Sequence, residues 1–188
     1  MSTRVPTVLI FGHSFVKRLQ RDLSSNFDSR VDSNFKLQGT ASVFLHGVGG
    51  CTVAKLRSFD LHVVEKLVPD IIILEIGTND LVDKCPEVVG SEIKSLVCFL
   101  LGSYPVRVVC VCHVIPRGLS SDDAPSFAQR VEILQQYLDV VLSLIPYVFC
   151  WRHKAFSHPA KDLYLADGVH VNPAGQYHLY RSYRGAIL

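Results

Sequence analysis

The sequence predicts an α/β protein: a three-layer α/β/α sandwich around a five-stranded parallel sheet. Three observations carry that prediction. Short runs rich in Val, Ile, Leu and Phe alternate along the chain with longer stretches of helical periodicity. The short runs are apolar throughout rather than alternating, as in strands covered by helices on both faces. The strand-then-helix unit recurs five times, which with right-handed crossovers yields a parallel sheet.

Residues 7–11 are the first strand and 14–23 the first helix, with a second strand at 43–46. Residues 53–67 form a helix, with Val53, Leu56, Val63, Val64 and Leu67 among its apolar positions, and Pro69 stops it. Residues 70–76, DIIILEI, are the clearest strand. Pro86 is suited to the first turn of a helix reaching about residue 101, followed by a fourth strand at 106–114. Pro125 opens a helix to about residue 144, and 147–150 is a short fifth strand. Asn172-Pro173 pairs an N-cap with a first-position proline to open the last helix. No repeat, low-complexity tract or linker interrupts the chain, so residues 1–188 are expected to form one domain.

Composition narrows the function classes. With 48% hydrophobic and 19% charged residues the chain is globular rather than disordered. A net charge of +2 is too small for nucleic-acid binding by bulk electrostatics. The apolar run at 8–11 is too short for a signal peptide, and no stretch approaches the roughly 20 apolar residues of a membrane-spanning helix. The six cysteines are scattered, with Cys110 and Cys112 inside a Val-rich strand. They lack zinc-site spacing and are expected to be free, buried thiols in a cytoplasmic protein.

Four motifs fall in order. Gly12-His13-Ser14 follows the first strand, Gly47-Val48-Gly49-Gly50 the second and Gly77-Thr78-Asn79-Asp80 the third; Asp167-Gly168-Val169-His170 follows the fifth. In an open α/β sheet such strand ends are where ligands bind. Taken singly, each motif has an ordinary alternative. Ser14 can be a helix N-cap, or a nucleophile at the positive end of a helix dipole. The glycines can serve a turn, or bring a backbone N–H close to a reacting carbonyl. Asn79 can be a turn residue, or a neutral donor to an oxyanion. Asp80 is expected to cap or to bond loop backbone. Asp167 and His170, three residues apart, can face one cavity, the carboxylate fixing the ring's tautomer while the other nitrogen takes a serine proton. Together they supply a nucleophile, oxyanion donors and an oriented base. Val16 stands where the Gly-x-Ser-x-Gly elbow needs its second glycine, so that motif does not apply.

On these motifs the chain resembles the SGNH (GDSL-type) hydrolase family. The resemblance implies a flavodoxin-like sandwich of strand order 2-1-3-4-5, with nucleophile Ser14, oxyanion donors Ser14, Gly50 and Asn79, and the Asp167–His170 pair. It also implies a serine esterase that hydrolyses small acyl or lipid-like esters and needs no metal or cofactor. The glycine and Gly-Thr-Asn blocks are similar to platelet-activating-factor acetylhydrolase catalytic subunits. Gly-His-Ser-Phe-Val resembles esterase domains of the first open reading frame (ORF1) of CR1/L2-type non-LTR retrotransposons. Two departures stand out: His13 and Cys51 occupy positions where the family usually has aspartate.

A rival expectation is a retroelement accessory domain that binds RNA, lipid or a partner chain, its triad secondary. The clusters Lys17-Arg18-Arg21 and Arg152-His153-Lys154, with Arg181 and Arg184, would carry it. Phe15, Val16, Leu119 and Phe156 are expected to be ordinary packing residues, the alternative being an apolar rim that contacts a membrane surface. The loop at 115–125 is expected to cover the site, and Arg117 to be a surface arginine, the alternative being contact with an anionic leaving group.

Overall fold

Strand residues alternate between two packed layers. Leu9, Phe11, Ile72, Leu74, Val109 and Val111 fill one core, and Val8, Ile10, Ile73, Cys110 and Cys112 the other. The computed structural model describes residues 4–25, 28–118, 124–157 and 161–188. The strands are β1 (Thr7–Gly12), β2 (Ser42–Gly47), β3 (Ile71–Glu75), β4 (Val108–Cys112) and β5 (Val148–Trp151). They form one parallel sheet in the order β2-β1-β3-β4-β5. This is the expected fold class.

Helices α2 (Val53–Phe59), α3 (His62–Leu67), α4 (Pro86–Ser103) and α5 (Ala124–Leu142) contribute to the first core. Helices α1 (Ser14–Ser24) and α6 (Pro173–Ile187) contribute to the second. The sheet grows outward from β1 in both directions, so helices of right-handed crossovers fall on both faces. The two directions part at the C-terminal ends of β1 and β3, the switch point where such sheets bind ligands. Among the described residues no helix is long and apolar enough to cross a membrane.

One predicted helix is two. The pattern over 53–67 breaks at Asp60, the C-cap of α2, whose carboxylate accepts a 2.8 Å hydrogen bond from His46 Nε2 at the end of β2. α3 then closes at Val68, left-handed at φ +46°, because Pro69 disfavours helical geometry in the residue before it. The proline and asparagine signals hold: Pro86 is at the first turn of α4, and Asn172 Oδ1 accepts from Gly175 N at 3.0 Å. All six cysteines are free, but the expectation that they are buried fails for Cys85 and Cys98, which are exposed on and before α4.

Candidate active site

The position of Ser14 is set by close packing of β1 on β3. Gly12 pairs with Glu75, and a Cβ at Gly12 would lie 1.9 Å from the Glu75 carbonyl oxygen. His13 then donates its backbone N–H to that carbonyl at 3.1 Å and leaves the sheet in an extended conformation. α1 begins at Ser14, and its cap is His13, whose Nδ1 accepts the Phe15 N–H at 3.4 Å. Ser14 is therefore not the N-cap. Among the described residues nothing takes its hydroxyl, which stands half-buried at the positive end of α1.

The second and third motifs meet each other. Val48 N donates to Gly12 O at 2.9 Å, laying the loop after β2 across the end of β1. Gly50 adopts φ +65°, a conformation that suits glycine, and a Cβ there would meet nothing within 4 Å. Asn79 Nδ2 donates to Cys51 O at 2.8 Å, which fixes the amide beside Gly50. Asp80 has the backbone-bonding role expected of it, although its target lies upstream. Its buried carboxylate accepts the Val53 N–H at the start of α2 and lies 3.5 Å from Lys84 Nζ. Burial pushes its pKa up against those contacts.

The fourth motif forms a closed unit. Asp167 Oδ1 accepts the backbone N–H groups of Val169 and His170, each at 2.9 Å, and Oδ2 is 2.8 Å from His170 Nδ1. Partial burial opposes ionisation of Asp167, but the hydrogen bonds from His170 and the backbone win and lower its pKa to about 2. Gly118 N donates to Gly168 O at 2.7 Å, tying the segment after β4 to this turn. His170 lies close enough to His13, the neighbour of Ser14, for a charge on one ring to affect the other. Burial lowers the His13 pKa most, Glu75 opposes, and the charge of His170 lowers it further. No hydrogen bond joins His170 to Ser14 among the described residues.

Sequence reasoning missed a buried network beneath Ser14. Glu75, fully buried at the end of β3, accepts hydrogen bonds on Oε2 from His153 Nε2 and Tyr183 Oη, each at 2.8 Å. A lone glutamate in an otherwise apolar strand was the available signal. Where the family usually has aspartate before the serine, a carboxylate arrives from elsewhere: Glu75 lies 3.8 Å from His13.

Phe15, Val16 and Phe156 pack into the core as expected and form no exposed rim, Phe15 and Val16 on the face of α1 that meets the sheet. His153 is likewise buried against Glu75, so it leaves the basic surface cluster. Arg117 stacks over the Phe127 ring at 4.3 Å. Leu119, and with it residues 119–123 of the loop expected to cover the site, lie outside the described residues.

Among the described residues two groups of metal-type donors converge that spacing did not reveal: Glu75, Cys112 and His153, and His113, Asp139 and Cys150. Burial pushes the Cys112 thiol well above its ordinary range and that of Cys150 to about 12, so both sulfurs hold their protons. His113 and Asp139 of the second group line a cavity of about 360 Å³ beyond β4 and β5, which none of Ser14, Gly50, Asn79, Asp167 or His170 lines.

Polar groups gather at the switch point of a parallel sheet, where α/β enzymes of this topology bind their ligands. Residues 10–177 match the sequence model of the GDSL-like lipase/acylhydrolase family, and the chain belongs to that family. The fold is similar to a GDSL-like lipase from Bacteroides thetaiotaomicron (TM-score 0.73, 17% identity, covering 100% of this chain and 91% of that one). It is also similar to an acetylxylan esterase from Geobacillus stearothermophilus (TM-score 0.68, 15% identity, 100% and 96%). A third likeness is to an α/β hydrolase from the metagenome of Lake Arreo, Spain (TM-score 0.71, 16% identity, 97% and 94%). At these identities the likeness shows the fold. No curated protein matches the chain in sequence.

Proposed function

We propose that this acylhydrolase is a serine esterase for small acyl esters, acetyl-type or lipid-like, working through an acyl-enzyme. His170 Nε2 takes the Ser14 Oγ proton as Oγ bonds to the ester carbonyl carbon, and the carbonyl electron pair moves onto oxygen. The Ser14 and Gly50 N–H groups and the Asn79 amide hold that oxyanion. Collapse expels the alcohol oxygen, which takes the proton from His170. A water molecule deprotonated by His170 then releases the acid and restores Ser14.

The observation that carries this reading is the Asp167–His170 pair at 2.8 Å, which holds Nδ1 and leaves Nε2 as the base. The capping of α1 by His13 supports it, because the serine hydroxyl is left uncommitted. Residues 1–188 act as one catalytic unit in this proposal, in a cytoplasmic setting suited to free thiols. Its narrower kinship, on Gly-His-Ser-Phe-Val, is with retroelement ORF1 esterase domains.

The test is hydrolysis of p-nitrophenyl acetate with fluorophosphonate labelling. Wild type is expected to turn over and label, and Ser14→Ala to lose both, at a cost on the order of 10⁶ in kcat. Full activity in Ser14→Ala sinks the proposal. An acyl-chain-length series on the same two proteins then separates acetyl from lipid-like esters.

A further inference from the structure

The buried charge behind the nucleophile has a geometry that does more than fill space. Glu75 Oε2 is saturated by His153 and Tyr183, while Oε1 has no hydrogen-bond partner among the described residues. Facing Oε1 at 3.8 Å is His13 Nε2, which is also buried and also without a partner among the described residues. Glu75 belongs to β3, His13 to the β1–α1 junction, His153 to the segment after β5, and Tyr183 to α6. The thiol of Cys112 on β4 faces the same carboxylate. The two ends of the His13 ring thus meet different demands. Nδ1 accepts the Phe15 N–H, so the ring proton is on Nε2, directed at the anionic oxygen of Glu75. At 3.8 Å this is an electrostatic contact rather than a hydrogen bond, and it acts in an apolar interior where charge is poorly screened.

We propose that Glu75 is a positioning residue for the nucleophile: its carboxylate sets the tautomer and orientation of His13, so that His13 caps the Phe15 N–H. The cap fixes the first turn of α1 and leaves the preceding N–H, that of Ser14, pointing out of the helix end. This rests on the assignment of Ser14 as nucleophile and oxyanion donor. It adds a residue from another strand that never touches substrate.

The experiment pairs Glu75→Gln with NMR of the imidazole rings. Glutamine still accepts from His153 and Tyr183 through its oxygen, but its NH₂ then faces His13 Nε2. That favours the other tautomer, whose Nδ1–H repels the Phe15 N–H. Wild-type His13 is expected as the Nε2–H form, and Glu75→Gln as the Nδ1–H form. The variant's kcat on p-nitrophenyl acetate should fall about 10²-fold with KM within about twofold, and fluorophosphonate labelling should slow in parallel. Adding His13→Asn, which caps without a charged partner, should restore part of the rate. A merely structural role would lower Tm and leave kcat per folded molecule and the His13 tautomer unchanged; that result overturns the proposal. If Glu75→Gln does not fold, the wild-type spectrum decides, and an Nδ1–H ring at His13 overturns it. Ser14→Ala runs alongside: its retained activity removes the nucleophile assignment and this proposal together. An inactive Ser14→Ala beside a fully active Glu75→Gln removes this one alone.

Discussion

Asp167 uses its two oxygens differently, and one substitution separates the uses. Oδ1 holds the turn through the Val169 and His170 N–H groups, and Oδ2 holds the ring. In Asp167→Asn the remaining oxygen can keep the turn, while the new NH₂ faces Nδ1 and forces the ring proton onto Nε2. A ring protonated there cannot accept from Ser14, so kcat is expected to fall about 10⁴-fold with little change in Tm. A loss under tenfold would mean that His170 is not the base. The pKa of Asp167, lowered from 3.8 to about 2, adds stability that is present above pH 3.8 and is lost as pH falls toward 2. With nearly half the side chain exposed, that contribution is small. This pair was legible in the sequence because its members are three residues apart and close their own turn. Glu75 was not, because its partners His153 and Tyr183 are 78 and 108 residues away and meet it only when the sheet and α6 have packed.

Among elements, β1 and β3 carry the site, and their spacing is the feature least tolerant of change. Pairing brings Gly12 against Glu75, where an added methyl would overlap the carbonyl that accepts from His13 N. Gly12→Ala must therefore push β1 away from β3 or break that bond. It is expected to cost more than about 3 kcal/mol, measured by urea unfolding. A folded variant within about 1 kcal/mol of wild type would show that the junction can relax. The strands themselves were readable because β1, β3 and β4 are apolar apart from Thr7 and Glu75 at their ends, the mark of burial on both faces. The break between α2 and α3 was not, since it depends on Asp60 reaching back to His46 rather than on any local breaker. Capping of α1 by His13 was equally hidden: imidazole is an unusual cap, and the more familiar one, serine, is next to it.

For the molecule as a whole, acid is the condition its buried groups resist least. Burial lowers the pKa of His13 despite Glu75, and that of His113 despite Asp139. Both rings are thus kept neutral in the fold, whereas in the unfolded chain they take protons near their ordinary value of 6.5. Unfolding then binds protons, so stability falls as pH drops below 6.5, by up to about 1.4 kcal/mol per pH unit for each ring. Glu75 extends the trend. Burial would raise its pKa, but the charge and hydrogen bond of His153, with His13 and Tyr183, lower it below 4.5; its stabilisation is lost as pH falls from 4.5 through that lowered value. Asp80 runs the other way, since burial raises its pKa and protonation relieves the cost of keeping the charge. Two histidines acting at higher pH outweigh one carboxyl acting lower down. Tm is expected to decline steadily from about pH 7 to about pH 5, and His113→Asn to make that decline shallower by removing one of the two protons. His113 lies outside the proposed catalytic set, so p-nitrophenyl acetate turnover at neutral pH reports whether the variant is intact. A wild-type Tm that is flat across this range would mean that His13 and His113 take up protons inside the fold, and would remove the assignment of both as buried neutral rings.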